Sequence, residues 1–256
     1  MDSANAIAAD IGNSWVKLAG FELGKSEWQF RRRDRWRDPI QLEFLNDSPR
    51  DWFVSSVSKP GFENLRAAIR KERKQDRIFE VRYSDVPIDS NLDYPEKTGI
   101  DRFCAAAGAW DYAKSKARNG PLTVVDIGTA VTVDLVDAHG CFQGGAIFIG
   151  PVKALQELSE QTDALPDITQ LELGDDLNAI GKNTVEALKG GAIFSLVGGV
   201  KELIARQQTS IEIETEVWLT GGGAPFIESF SPSEWIFRDD LVLHGIRLAA
   251  KSMNSD

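Results

Sequence analysis

The stretch Val124-Val125-Asp126-Ile127-Gly128-Thr129-Ala130-Val131-Thr132-Val133-Asp134 decides how the rest of the chain is interpreted. Its alternating β-branched residues, interrupted by Gly128 and Thr129, predict a strand, a tight glycine turn and a second strand. A glycine in such a turn lets backbone N–H groups approach an anion closely, and the Thr129 hydroxyl adds a donor. The Asp126 carboxylate, at the strand end, can hold a cation beside bound phosphates. The stretch therefore predicts a phosphate-binding turn.

A second copy of this pattern lies near the N-terminus, where Asp10-Ile11-Gly12 is followed by Asn13-Ser14. Taken singly, an Asp-x-Gly turn is better explained as a plain hairpin turn. A third glycine turn, Thr220-Gly221-Gly222-Gly223, follows a short apolar run. The repetition favours a duplicated α/β protein, in which each half opens with an antiparallel hairpin and the two turns face a nucleotide triphosphate across a cleft.

Composition limits the classes of protein to be considered. The 256 residues include 42% hydrophobic residues, enough for one large domain or two smaller ones. With 29 basic and 39 acidic residues the net charge is −10, which argues against a nucleic-acid binder. Two cysteines, Cys104 and Cys141, are too few for a disulfide framework and lack metal-binding spacing. We expect a cytoplasmic protein with no secretion signal and no membrane-spanning segment.

The predicted elements repeat in the same order in the two halves, on either side of the break at Asn119-Gly120-Pro121. We therefore predict a first domain over 1–118, with the first phosphate loop and a substrate loop, and a second over 119–256, with the second phosphate loop. In the first half we predict three strands within 5–33, a helix over 39–46, a strand over 52–57, a helix over 61–74, a strand over 78–81 and a helix from 98 or 99 to about 116. In the second half we predict strands over 122–126, 131–137, 141–148 and 217–220, a helix from 150 to about 161, a long helix over 182–206, a helix after the third glycine turn and a closing helix over 241–251.

Other phosphate-binding patterns are excluded by inspection. The sequence contains no Gly-x-x-x-x-Gly-Lys-Ser/Thr, and no Gly-x-Gly-x-x-Gly follows a predicted strand, so P-loop and Rossmann interpretations fail. The basic run over 31–37 carries five arginines and Trp36 and could contact nucleic acid. In so acidic a chain, a solvated strand edge is the better interpretation.

The ordered set of motifs resembles type III pantothenate kinases, members of the acetate kinase, sugar kinase, Hsp70 and actin superfamily. The similarity runs from Asp10 to Lys251. The matching segments are Asp10-Ile-Gly-Asn-Ser with Lys17, Ser55-Ser56-Val57, Gly99-Ile-Asp101-Arg102, the stretch from Asp126 to Asp134, Gly144-Gly-Ala-Ile147, Leu165-Pro166, Gly181-Lys-Asn-Thr184, Leu219-Thr-Gly-Gly222 and Leu241-Val-Leu-His-Gly245. The chain departs from the family pattern at Ile149, where the family usually has proline, and at Asp163, where it usually has alanine.

The resemblance implies an α/β fold of two ribonuclease H-like (actin-like ATPase) halves, each a mixed sheet with an N-terminal β-hairpin and flanking helices, with a cleft between them. It implies phosphorylation of pantothenate by ATP, the first step of coenzyme A synthesis, with Mg²⁺ carried by the nucleotide and a monovalent cation, K⁺ or NH₄⁺. Asp101 would be the catalytic base, Asp126 would hold the monovalent cation, and Thr184 would bind pantothenate near the interface of a homodimer. The implied ATP-binding residues are Asp10, Ile11, Gly12, Asn13, Ser14, Trp15, Val16, Lys17 and Thr129. The other implied substrate-binding residues are Tyr94, Gly99, Ile100, Asp101 and Arg102.

Physical chemistry is compatible with these roles. A carboxylate at Asp101, in the first turn of a helix, stays ionised and can accept the proton of an attacking hydroxyl, and Arg102 can pair with an anionic substrate. Read alone, the same segment would be a helix N-terminus with a capping charge. Three alternatives stay open: a kinase for another small alcohol, a phosphatase of the same fold such as a polyphosphate hydrolase, and a non-catalytic regulatory relative.

Paired glycines interrupt the predicted helix over 182–206, at Gly190-Gly191 and Gly198-Gly199. Each glycine costs about 1 kcal/mol relative to alanine in a helix, so something packs closely there. A partner subunit on this helix predicts a homodimer, whereas packing against the adjacent sheet is the simpler alternative.

Overall fold

The computed structural model describes residues 5–23, 25, 27–168 and 177–254. Eleven strands are described, and the 3₁₀ turns Tyr83–Asp85 and Pro95–Lys97 precede the second α-helix. The strands are β1 Asn5–Ile11, β2 Trp15–Glu22, β3 Trp28–Arg35, β4 Asp51–Ser56, β5 Arg77–Glu80, β6 Asp89–Ser90, β7 Leu122–Ile127, β8 Ala130–Val136, β9 Cys141–Ile149, β10 Glu216–Thr220 and β11 Ile236–Phe237. The helices are α1 Lys59–Glu72, α2 Ile100–Ser115, α3 Pro151–Gln161, α4 Thr184–Ile211, α5 Pro225–Glu228 and α6 Leu241–Met253.

The described residues form two compact units. Unit 1 comprises the described parts of Met1–Arg118, Gly140–Phe142 and Asp240–Asp256, and unit 2 comprises those of Asn119–His139 and Gln143–Asp239. The described part of the closing segment, Asp240–Asp256, lies in unit 1. The sequence instead predicts that this segment belongs to the second domain, over 119–256.

Close helix packing explains where the closing segment lies. In unit 1, α6 packs against α2, and two glycines make the approach possible. A Cβ at Gly108 would lie 2.3 Å from the carbonyl oxygen of Leu241, and one at Gly245 would lie 2.0 Å from that of Cys104. Only glycine fits at both positions, so these helices meet through their backbones.

Unit 1 contains a five-stranded sheet in the order β3-β2-β1-β4-β5. Strand β1 pairs antiparallel with β2 and parallel with β4. One face carries the buried side chains Ile7, Ile11, Val16 and Leu18, which pack with Leu65 and Ile69 of α1. Because side chains alternate along a strand, Ala6, Ala8 and Asp10 point to the opposite face, on which α6 packs.

Unit 2 repeats this arrangement in its own sheet, ordered β11-β10-β7-β8-β9. Strand β7 pairs antiparallel with β8 and parallel with β10. Its core joins Val125, Val133 and Leu219 to Leu196 and Val200 of α4. The first residues of β9 belong to unit 1, where Cys141 and Phe142 pair with β6. The predicted fold class, a duplicated mixed sheet with an N-terminal hairpin in each copy, is confirmed.

Most predicted elements occur within a few residues of the expected bounds, but one is wrong. Residues 39–46, predicted as a helix, form turns and irregular segments. The buried residues Ile40, Leu42 and Leu45 face the core at a spacing that no single helix face provides. The sequence also indicates a loop over 162–175, and the part of it beyond Ile168 lies outside the described ranges. None of the helices formed by described residues combines the length and apolar character that crossing a bilayer requires.

Candidate active site

The first phosphate loop connects β1 to β2 in unit 1. The Gly12 N–H donates to the carbonyl oxygen of Trp15 at 3.0 Å and closes the turn. Asp10 is buried, and its Oδ2 lies 3.2 Å from the Lys17 ammonium group. These two residues are also direct partners across the antiparallel pair. The end of β1 therefore presents a buried carboxylate that already has its counter-ion.

The remaining loop residues divide by orientation. Ile11 and Val16 are completely buried in the core of unit 1, so only their backbone groups can meet a ligand. Asn13 is exposed, while Ser14 and Trp15 are half-buried. The Trp36 indole N–H donates to the Asn13 carbonyl oxygen at 3.0 Å, which ties the tip of the loop to the segment after β3.

Glycine at position 12 has no role in the fold that the structure reveals. Its φ is not positive, and a Cβ there would meet only the Trp15 carbonyl oxygen, at an ordinary 3.7 Å. The backbone could therefore carry a side chain at this position. A glycine that packing does not require leaves the N–H groups of the turn open to a closely approaching anion.

Asp101 lies in the first turn of α2, whose N-cap is Gly99. Its Oδ1 accepts the Arg102 backbone N–H at 2.9 Å, and a Cβ at Gly99 would lie only 2.5 Å from this oxygen. The carboxylate therefore folds back over a residue that must be small. The N–H donor and the helix N-terminus both favour its ionised form. Arg102 places its guanidinium 5.7 Å from the centre of the Phe142 ring.

Asp10 and Asp101 both lie near Cys104 in unit 1. Its thiol is completely buried one turn after Asp101. Burial raises the pKa of the Cys104 thiol well above its usual value, and the nearby carboxylates of Asp10 and Asp101 raise it further. Ser55, which is completely buried, is the direct β4 partner of Asp10. Asp10, at the first phosphate loop, and Asp101, at the start of α2, therefore lie near the same buried thiol.

The second phosphate loop connects β7 to β8 in unit 2. The Gly128 N–H donates to the Ala130 carbonyl oxygen at 3.0 Å, and Thr129 is half-buried. Gly150, at the start of α3, donates its N–H to the Thr129 carbonyl oxygen at 2.9 Å. A Cβ at Gly150 would lie 2.1 Å from the Gly128 carbonyl oxygen. Gly150, which follows Ile149 and matches the glycine of the family pattern, therefore packs closely against this loop.

Asp126 lies at the end of β7 against the third glycine turn. Its direct partner on β10 is Thr220, as Ser55 is the partner of Asp10 in unit 1. Gly221 has a φ of +91°, and a Cβ there would lie 2.3 Å from Asp126 Oδ1. Only glycine is compatible with both constraints. The turn is thus shaped around the Asp126 carboxylate.

The residues around Asp126 are compatible with a hard cation and not with a site built from several metal-binding side chains. Among the described residues, no group of three or more His, Cys, Asp or Glu side chains could hold a metal ion. An ion at Asp126 would therefore need backbone carbonyl, hydroxyl, water or phosphate oxygens as its other ligands. Such oxygen donors suit an alkali or alkaline-earth cation.

Comparison with known proteins identifies the family. A sequence profile of type III pantothenate kinase matches residues 6–206. A type III pantothenate kinase from Persephonella marina is 30% identical over 253 residues, covering 94% of this chain and 96% of the relative. Another, from Dehalococcoides mccartyi, is 38% identical over 258 residues, covering 96% and 97%. The chain belongs to the type III pantothenate kinase family.

Solved structures agree on the fold. A protein from Campylobacter jejuni described as a conserved putative Baf family transcriptional activator superposes with a TM-score of 0.62 at 18% identity, covering 98% of this chain and all of the other. The ethanolamine utilization protein EutJ from Carboxydothermus hydrogenoformans gives a TM-score of 0.51 at 14% identity, covering 97% and 90%. At these identities the similarity concerns the fold alone.

The other residues that the family resemblance implicates lie on exposed or partly exposed segments. Tyr94 is 60% exposed, with the Lys97 ammonium group 4.3 Å from its ring centre. Gly99 and Ile100 are half-buried at the start of α2. Thr184 is exposed in unit 2 as the first residue of α4, whose N-cap Asn183 accepts the Glu186 N–H at 3.0 Å. That these residues bind the substrate stays a prediction.

Sequence inspection misses two features of unit 1. The sequence predicts that Cys104 is a buried thiol but not that it lies near Asp10 and Asp101, because nothing in the sequence shows which face of α2 packs against β1 and β4. The contacts of Trp15 with the basic strand β3 are missed because the run over 31–37 is treated as one charged patch. The alternation of side chains along a strand would have separated residues 31, 33 and 35 from 32 and 34.

Proposed function

We propose that this kinase transfers the terminal phosphate of ATP to pantothenate, giving 4'-phosphopantothenate in the first step of coenzyme A biosynthesis. Family membership names the substrates. The structural observation that supports the proposal is that Asp10, at the first phosphate loop, and Asp101 both lie near the Cys104 thiol. A group that binds phosphate and a carboxylate that accepts a proton must lie together in any such kinase.

The chain's part in this reaction is mainly positioning and neutralisation of charge. The transition state of phosphoryl transfer is loose, and its charge spreads over the equatorial oxygens. N–H groups around Gly12 and the Lys17 ammonium group would hold the phosphates, and Mg²⁺ would arrive with the nucleotide. The Lys17–Asp10 ion pair, at 3.2 Å, fixes the direction of the ammonium group before ATP binds.

Asp101 would orient the pantothenate hydroxyl and accept its proton late in the transfer. Its Oδ1 accepts the Arg102 N–H at 2.9 Å, which fixes the carboxylate at the start of α2. Arg102 would pair with the substrate carboxylate, as a guanidinium group does well in bidentate geometry. Tyr94 and Thr184 would complete the pantothenate contacts. Asp126 would hold a monovalent cation, and Thr129 would bind ATP.

A panel of acceptor alcohols tests the choice of substrate. The protein is incubated with γ-labelled ATP and either pantothenate, N-acetylmannosamine, glycerol or glucose, and labelled products are identified by mass spectrometry. We expect label to appear in phosphopantothenate only. Label in another alcohol would identify a kinase for that alcohol. Label released as inorganic phosphate without an acceptor would identify a phosphatase. Either result would contradict the proposal that pantothenate is the substrate.

Two glycine substitutions separate a ligand-binding glycine from a packing glycine. Gly12→Ala is expected to change the free energy of unfolding by less than about 1 kcal/mol and to weaken ATP binding, because the new methyl group would stand among the phosphate-binding N–H groups. Gly221→Ala should cost about 2 kcal/mol or more, since its φ of +91° is strained for alanine and its Cβ would meet backbone. Urea unfolding and ATP titration of both variants measure these effects. Equal destabilisation by the two substitutions would contradict the assignment of Gly12 to ligand binding.

The proposed homodimer is supported by one surface of unit 2. Gly191 and Gly198 lie on the exposed side of α4, where an added Cβ would meet nothing within 4 Å. Gly199 differs, because its Cβ would lie 3.5 Å from the Phe148 ring and so packs internally. Large apolar side chains are exposed on the neighbouring elements of unit 2. They are Val152 and Leu158 of α3 and Val185 of α4.

We place a second copy of the chain on this surface, because an isologous contact about a twofold axis buries such a face on both subunits at once. Thr184 begins the same helix, so the contact would bring it to the partner's pantothenate. The Gly191→Leu and Gly198→Leu variants should dissociate at micromolar concentration and show a raised KM for pantothenate. Glu214→Leu, exposed beyond the end of α4, is the control. Light scattering that finds a fully active monomer in the unchanged protein would exclude this arrangement.

A further inference from the structure

The basic run after β2 has no part in the reaction described so far, yet the structure sorts its arginines into two kinds. Residues 31–35 lie on β3, which is an edge strand of the sheet of unit 1. On one face, Arg32 Nε lies 2.5 Å from Asp34 Oδ2, so this cation is neutralised. On the other face, Arg33 and Arg35 are exposed, and neither forms an ion pair with an acidic group of the described residues.

Strand register places Arg33 beside the first phosphate loop. Lys17 is the direct partner of Asp10 on β1 and, on its other side, of Arg33 on β3. Directly opposed residues in antiparallel pairs project from the same face, with Cβ atoms about 5 Å apart. Asp10, Lys17 and Arg33 therefore form one row across three strands. Arg33 adds a second positive charge to the end of the loop that holds Lys17.

Trp15, itself a loop residue, holds both arginines. The Arg33 guanidinium carbon lies 3.9 Å from the centre of the Trp15 ring, and that of Arg35 lies 5.2 Å away. Arg35 is also the direct strand partner of Trp15. Two like charges thus share one aromatic ring. Although Arg33 as a whole is exposed, partial burial of its guanidinium lowers the pKa of Arg33, and the charge of Arg35 lowers it further. An anion placed between them would offset both effects.

We propose that Arg33 and Arg35 bind a terminal phosphate group at the open end of the first phosphate loop, carried either by ATP or by the phosphorylated product. The assignment rests on the proposed function, in which this loop binds the nucleotide. A doubly charged phosphate suits two neighbouring guanidinium groups better than a single carboxylate does, because each can donate two parallel hydrogen bonds to its oxygens.

Direct binding measurements with glutamine variants test this site. Arg33→Gln, Arg35→Gln and the double variant are titrated calorimetrically with Mg-ATP in the absence of pantothenate. Loss of a charge-assisted contact at an exposed site is expected to weaken ATP about tenfold per arginine. Adenosine, which lacks phosphates, should bind equally to all variants. Arg70→Gln, exposed on α1, removes the same charge elsewhere on unit 1 and should leave ATP affinity unchanged.

A second titration, with 4'-phosphopantothenate, distinguishes the two sources of phosphate. Weaker binding of ATP assigns the arginines to the nucleotide, and weaker binding of the product alone assigns them to the transferred phosphate; either result supports the site. Arg33→Lys keeps the charge and should retain part of the affinity, which provides a measurement should the glutamine variants fold poorly.

Three results would overturn the site. They are unchanged affinity for both phosphate compounds in the double variant, an equal loss in Arg70→Gln, and an effect confined to the KM for pantothenate. The proposed function can fail separately. A wild-type protein that binds ATP but shows no pantothenate-dependent turnover would remove the proposed reaction, while the ATP titrations would still decide the role of the two arginines.

Discussion

Asp101→Asn is expected to lower turnover of pantothenate by at least about a hundredfold while leaving ATP affinity close to that of the unchanged protein. The substitution keeps the shape of the side chain and removes the proton acceptor, and loss of a general base has effects of this size. The amide can still accept the Arg102 N–H that now donates to Asp101 Oδ1 at 2.9 Å, so the start of α2 should keep its geometry. Initial rates at saturating ATP and calorimetric titration with ATP measure the two quantities.

The control for this variant is Glu96→Gln, an exposed acid of the 3₁₀ turn that precedes α2. It makes the same change of charge near the same segment and should keep normal turnover. Turnover by Asp101→Asn within a few-fold of the unchanged protein would remove Asp101 from the mechanism. A parallel loss of ATP affinity would instead assign the carboxylate to nucleotide binding.

Asp126→Ala is expected to abolish both most of the activity and the dependence of activity on a monovalent cation. The Asp126 carboxylate, at the end of β7 beside the second phosphate loop, would repel the phosphates of ATP, so we propose that a cation of potassium size lies between them, in addition to Mg²⁺. Rates of the unchanged protein should therefore rise steeply with K⁺ or NH₄⁺ and stay low in a bulky organic cation. The same titration on the variant should give a flat, low response.

Two further variants make this result specific. Asp126→Asn keeps the side-chain volume that packs on Gly221, so it separates loss of charge from loss of packing. Glu214→Ala removes an exposed acid elsewhere in unit 2 and should retain the cation response. Full activity of the unchanged protein with only Mg²⁺ and an organic cation would contradict a monovalent site at Asp126.

The duplicated hairpins could be predicted because their signals are local. The apolar run before Asp10 and before Asp126, with the glycine two residues later, predicts strand, turn and strand in both units. The strand register gives these acids similar neighbours, Ser55 for Asp10 and Thr220 for Asp126. The segment over 39–46 was predicted wrongly because its apolar residues suit a helix in composition, while the irregular spacing of Ile40, Leu42 and Leu45 favours turns that reach the core.

Long-range packing accounts for what the sequence could not tell. The closing helix lies in unit 1 because Gly108 and Gly245 let α2 and α6 approach closely, and such a pairing joins residues far apart in the chain. Paired glycines in α4 look equivalent in the sequence, yet Gly199 meets Phe148 whereas Gly191 faces open space. The proximity of Asp10 and Asp101 depends on which face of α2 carries Cys104, and the weak amphipathic pattern of that mostly buried helix does not reveal it.

Pantothenate-dependent release of ADP tests the central claim most directly. The unchanged protein is assayed by a coupled ADP assay with Mg-ATP in potassium buffer, first without an acceptor and then with pantothenate. We predict a negligible rate before pantothenate is added and saturable turnover afterwards, with one phosphopantothenate formed per ADP. ADP release that is the same with and without pantothenate, or absent in both, would contradict the proposed kinase.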